Sequence, residues 1–214
     1  MESIKEYCDL IKQIPVYKQS AQIKKTTWER FSNTRWYSEE LEHLIFGDQE
    51  TVEISRADIF AENDARTKVL KILMWGYPTG GRGNNIDDIL NKAEELIQIL
   101  LPVNGKNLTK AETNKLIEKF AGIHGLGVST WSKMLYFFRV SVDSKKCQIF
   151  DLKIVDSLNK KQFCELGTEE WKQDIMHYYQ YIDLVDNLAK IMCVLPEQVE
   201  LFLFYYNLYY KFTD

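Results

Sequence analysis

Apolar residues recur at steps of three and four along most of the chain. Ile86, Ile89, Leu90, Ala93, Leu96, Ile97 and Leu100 form one stripe, Asp87 and Asp88 stand in its first turn, and Pro102 follows its end. That pattern predicts a helix with one buried face and acidic residues placed to favour its dipole. A second helix is expected from Thr109, which stands three residues before Glu112 in capping-box spacing, with Leu116, Ile117 and Phe120 on the buried side. Trp131, Met134, Leu135 and Phe138 mark a third. A long helix starting near Thr168 would carry Trp171, Ile175, Tyr178, Ile182, Val185, Ala189 and Met192, and Pro196 suits the first turn of a last one, PEQVELFLFYYNLYYKF. Upstream, DARTKVLKILMWG reads as a helix stopped at Gly76, and residues 2 to 13 as another. Between about 25 and 60 no element boundary stands out, and FRVSV is a short β-prone piece without regularly spaced companions. The expectation is a mainly α, compact unit over residues 1–214, built as two helical lobes, without repeats or low-complexity linkers.

Composition narrows the class. Hydrophobic residues make up 45% of the 214, enough for a real core and against extended disorder. The net charge of -4 argues against a chain that coats nucleic acid without specificity, though not against a local basic face. Cys8, Cys147, Cys164 and Cys193 lie far apart with no zinc or iron–sulfur spacing, so reduced thiols and no metal or other cofactor are expected. The start MESIKEYCDL carries charges where a signal peptide would be apolar, and no run approaches the roughly 20 apolar residues of a membrane span. A soluble, cytoplasmic protein without membrane contact is the expectation.

The stretch with most chemical content is GIHGLGVSTWSKMLYFF, residues 122 to 138. Two amphipathic segments meet at Gly125, Leu126 and Gly127 in a helix-hairpin-helix over residues 115–139. Glycines at such a turn can take positive φ and lack a side chain to hold another molecule away. The hairpin would expose amides of Gly125 to Ser129, through Val128, at the positive end of the outgoing helix, where a phosphate fits. A plain αα-turn needing glycine only to bend is the competing reading.

Downstream, CQIFDLKIVDSLN places Asp151 before a short amphipathic helix with Leu152, Val155 and Leu158 expected to face inward. Asp is a good N-cap, which is one account of it. A hairpin followed about twenty residues later by an apolar residue, Asp and a helix resembles the helix-hairpin-helix DNA glycosylase superfamily, nearest to the 8-oxoguanine DNA glycosylases. The resemblance covers roughly residues 115 to 160 and implies a two-lobed α-helical fold with a cleft. It assigns to Asp151 the family's carboxylate, which stabilises the positive sugar formed as an N-glycosidic bond breaks. It also implies a double-stranded DNA partner, DNA repair by base excision, a flipped nucleotide and action as a monomer.

The chain departs from the family pattern where bifunctional members carry a lysine two residues after the second glycine. Ser129 stands there, which resembles the monofunctional class that uses water. Lys133, one turn on and on the same face as Ser129, and Lys153, two residues past Asp151, are alternative amines, each expected to be solvated or phosphate-facing. His124 occupies the family's usual proline position and either touches a phosphate or closes the turn. In WGYPTGGRGNN, Arg82 and the adjacent asparagines are candidates to contact the DNA strand, against a simple connector. The aromatic tail reads as core, with Glu197 and Glu200 expected to repel phosphates, and His43 and His177 have no ligand-like neighbours. Two other functions stay open: a noncatalytic helix-hairpin-helix DNA-binding protein, and a helical protein-interaction module.

Overall fold

The computed structural model describes residues 2–32, 34, 36–81 and 83–210, with side chains to residue 206. A short α1 (Cys8–Lys12) leads into β1 (Ser20–Lys24), α2 (Lys25–Trp28) and α3 (Glu39–Phe46), and β2 (Thr51–Ser55) returns to pair with β1. The two strands are antiparallel, Ser20 opposite Ser55 and Lys24 opposite Thr51. This ribbon falls within the stretch where the sequence shows no boundary. The reason is physical: only Ile23 of β1 and Ile54 of β2 are buried, so neither strand writes a strong period-two pattern.

Next come α4 (Arg56–Ala61), α5 (Ala65–Gly76), α6 (Asn85–Asn91) and α7 (Ala93–Leu100). The single helix expected over 86 to 100 is two, broken at Lys92 (φ -111°, ψ 12°), whose amide turns back to Ile89 and Leu90. The stripe survives the break, since Ile86, Ile89, Leu90, Ala93, Leu96, Ile97 and Leu100 are all buried. β3 (Asn107–Leu108) then pairs with β4 (Ser141–Val142), and β4 with β5 (Lys145–Lys146), beside α8 (Lys110–Ala121) and α9 (Val128–Phe137). Thr109 and Glu112 form the expected reciprocal cap of α8.

The chain closes with α10 (Leu152–Asn159), α11 (Ile175–Met192) and α12 (Pro196–Tyr210). α11 begins later than its apolar pattern suggests, because Asp174 caps it by accepting from the amide of His177. Trp171 lies outside that helix, held instead by Asn159, which accepts from its amide at 2.7 Å and donates to its carbonyl at 2.9 Å. Residues 2 to 13 likewise divide into a 3-10 turn at Ile4–Tyr7 and α1. Buried side chains from Ile4 to Leu203 form one hydrophobic cluster, in which α5 packs on α9 and α12 covers α10 and α11. Among the described residues no helix is long and apolar enough to cross a membrane.

Candidate active site

The two glycines of the hairpin do different work. Gly125 has φ +81°, and a Cβ there would sit 2.6 Å from the backbone oxygen of Asn85. Only glycine lets the turn both take this conformation and lie against the first residue of α6. Gly127 has φ -73° and ψ 179°, a conformation open to any residue, and nothing lies within 4 Å of a Cβ built on it. The expectation that both glycines serve the bend therefore holds for Gly125 alone.

Gly127 is the N-cap of α9 and contributes no side-chain cap. The amides of Gly127, Val128 and Ser129 have no acceptor among the described residues, as expected for an uncapped helix start. Leu126 is buried and anchors the turn, while Gly127 is exposed. His124 is exposed too, its Nδ1 2.7 Å from Asp88 Oδ2, so it ties the hairpin to α6. Arg82 lies outside the described residues.

Behind the hairpin α9 is buried on every side from Thr130 to Phe137. Lys133 is carried into that interior, with its side chain 5% exposed, which overturns the expectation of a solvated lysine. Its ammonium donates to the Ser129 carbonyl at 3.0 Å and to Ser129 Oγ at 2.8 Å, and lies 5.7 Å from the centre of the Tyr77 ring. Room for its stem comes from Gly76, where a Cβ would meet Lys133 Cδ at 3.0 Å. Tyr77 is fixed in turn by a 2.5 Å hydrogen bond between its hydroxyl and that of Thr130.

Asp151 meets this amine. Lys133 Nζ is 3.9 Å from Asp151 Oδ2, with the carboxylate 17% exposed. Asp151 also caps α10, Oδ1 accepting from the amides of Lys153 and Ile154 at 3.0 and 3.2 Å. The capping and functional accounts of this residue are therefore compatible: one oxygen is locked by the helix start, the other faces the lysine. Phe150 sets the position, its amide donating to Ser132 Oγ of α9 at 3.0 Å and its ring stacking on Tyr181 at 4.7 Å.

One expectation around Asp151 is corrected and another is met. Leu152 is 61% exposed, so the buried side of α10 is Ile154, Val155 and Leu158. Lys153 is exposed, as expected, and its amine lies 4.5 Å from the centre of the Phe204 ring, so its amide engages Asp151.

Deeper still lies a pair that sequence reasoning missed. Arg56 and Glu200 form a fully buried salt bridge at 2.8 Å, and Arg56 donates to the Tyr136 hydroxyl at 2.9 Å. Glu200, expected only to repel phosphates, is thus core, as the aromatic tail around it was read, and Glu197 is buried as well. Burial pushes the Glu200 carboxyl up to about 7 against the pull of Arg56, and the charges of Asp151 and Glu197 add to the rise.

A mainly α chain whose glycine hairpin delivers a buried lysine to the cap of a following helix is a helix-hairpin-helix protein with a glycosylase-like fold. The chain belongs to the family described as "Putative 8-oxoguanine DNA glycosylase OGG-like protein", whose model matches residues 14–204. No match to a curated protein or to a solved structure was found.

Proposed function

We propose that the protein is a DNA N-glycosylase that holds duplex DNA at the α8–α9 hairpin and releases a modified base through Lys133 and Asp151. Family membership supports the glycosylase class, and its printed description makes 8-oxoguanine the first base to test. The observation that carries the reading is the buried pairing of Lys133 Nζ with Asp151 Oδ2 at 3.9 Å. The free amides at the start of α9 receive a backbone phosphate, which fixes register on the strand without reading sequence.

Lys133 is the amine nucleophile in this reading. It gives up its ammonium proton to solvent water, and its lone pair then forms a bond to C1′ of the deoxyribose. The C1′–base bond breaks with its electron pair going to the base, which takes up a proton as it leaves. Asp151 Oδ2 faces the positive charge that grows on the sugar, while the amides on Oδ1 hold the carboxylate in place. Ser129, which the sequence pattern aligns with a water-using enzyme, instead accepts from the Lys133 ammonium at 2.8 Å. A panel of duplexes, each with one modified base, tests the reading by base release and by strand breaks after alkali. Release from at least one duplex, lost in Asp151→Asn, is expected. A chain that binds the panel but releases nothing is a noncatalytic DNA-binding protein.

A further inference from the structure

α7 and α8 leave an open groove of about 600 Å³ between them. Glu95, Gln98, Ile99 and Pro102 line it along α7 and the turn that ends it, and Glu112, Lys115, Leu116 and Lys119 line it along α8. Both stripes follow i, i+3, i+4, i+7 spacing, the pattern with which one helix faces another. Val103 and Leu108 add to the apolar floor. Two helices splayed in this way leave room for a third, over a length of about 10 Å at the helical rise.

The rim selects the kind of helix. Glu95 is already held by Lys92 at 2.9 Å, and Glu112 is taken up in the Thr109 cap. Lys115 and Lys119 are exposed and form no ion pair among the described residues, so the free charge of the rim is positive. α3 carries the complement. It is eight residues long, about 12 Å, and buries Leu41 and Phe46 while leaving Glu40, His43 and Leu44 on its outer face. Leu44 is 66% exposed, and Glu39 and Glu40 beside it form no ion pair among the described residues. An outward leucine flanked by two unpaired carboxylates fits an apolar groove flanked by two unpaired lysines.

The two features lie next to one another. Trp36, two residues before the Ser38 cap of α3, donates its Nε1 to Glu94 in the first turn of α7 at 3.2 Å. A two-fold axis beside this junction lets each copy place its α3 in the other's groove, which closes the assembly at two. We propose that this face joins two copies of the chain, Leu44 of each seated on the apolar floor of the other's α7–α8 groove, with Glu39 and Glu40 against Lys115 and Lys119. This departs from the monomer that the family resemblance implies, and it does not depend on the glycosylase reading.

Sedimentation equilibrium of the full chain over roughly 1–300 µM reads the assembly. A monomer–dimer equilibrium that weakens with added salt is expected. Leu44→Glu, the double change Lys115→Glu and Lys119→Glu, and the double change Glu39→Lys and Glu40→Lys should each weaken association about tenfold or more. All of these positions are exposed, so each variant should keep its helical circular dichroism. Mixing the two charge-reversed chains should restore the dimer, because each α3 then meets a groove of opposite sign, and a folding defect would not be rescued by mixing. A parent chain that stays monomeric throughout, a mixture that stays dissociated, or association that continues past two copies overturns the proposal.

Discussion

Substituting the two hairpin glycines separates folding from DNA contact. Gly127→Asp places a good N-cap at the start of α9, where φ is ordinary and the space is open. Helix-dipole and capping gains of a few tenths to about 1 kcal/mol oppose only the small loss of glycine's freedom, so stability should change little. DNA affinity should fall steeply. If two amides at this helix start each give a phosphate a charge-assisted bond worth about 1.5–3 kcal/mol, their loss weakens binding by roughly 100-fold or more. The slope of log Kd against log salt should also fall by about one contact's worth. Gly125→Ala is the mirror case: positive φ and a Cβ 2.6 Å from the Asn85 oxygen force strain and displacement. Left-handed backbone costs about 1–2 kcal/mol and overpacking about 1–3, so the melting temperature should drop by roughly 4–20 °C. Thermal unfolding and fluorescence anisotropy with a duplex at several salt concentrations read both effects. Gly127→Asp binding with unchanged affinity and salt slope would refute the clamp.

Three other outcomes follow from the site. Asp151→Asn keeps an equally good N-cap but removes the counter-charge of the buried Lys133 ammonium, so stability should fall by about 1–3 kcal/mol while base release falls on the order of 100-fold or more. Gly76→Ala should lower base release with little change in melting, because the added methyl meets the Lys133 stem at 3.0 Å. Arg56→Ala leaves Glu200 buried without its counter-charge and should destabilise by about 3–5 kcal/mol, seen in urea unfolding. The pH dependence has a definite sign. Between its ordinary 4.5 and about 7, folded Glu200 holds a proton that the unfolded chain has released. Its contribution to stability therefore falls as pH rises through that window, and Glu200→Gln should flatten the slope.

Much of this arrangement is legible in the sequence, and the rest is hidden for identifiable reasons. The hairpin, the Thr109–Glu112 cap and the Asp151 cap are local, each written within a few residues. Lys133 is different. STWSKMLYFF holds apolar residues around the whole helix, and a helix buried on all sides has no solvated face for a lysine. That signal was present and points to a buried amine. Gly76 and Tyr77, which make room for it, come from α5 more than fifty residues upstream, and no local pattern links them to α9. Arg56 and Glu200 pair across most of the chain, so Glu200 reads as a surface charge until α12 is placed. The β1–β2 ribbon is faint because each strand buries one residue.

Covalent trapping bears most directly on the Lys133–Asp151 assignment. Incubating the protein with a cleavable duplex and borohydride should yield a stable protein–DNA adduct: after the base leaves, the C1′–O4′ bond opens with its electron pair and a proton going to O4′, and hydride from borohydride reduces the resulting imine between Lys133 and C1′. Lys133→Gln should abolish the adduct, and Lys153→Ala should leave it intact. Base release without any adduct, or an adduct that persists in Lys133→Gln, would contradict the assignment.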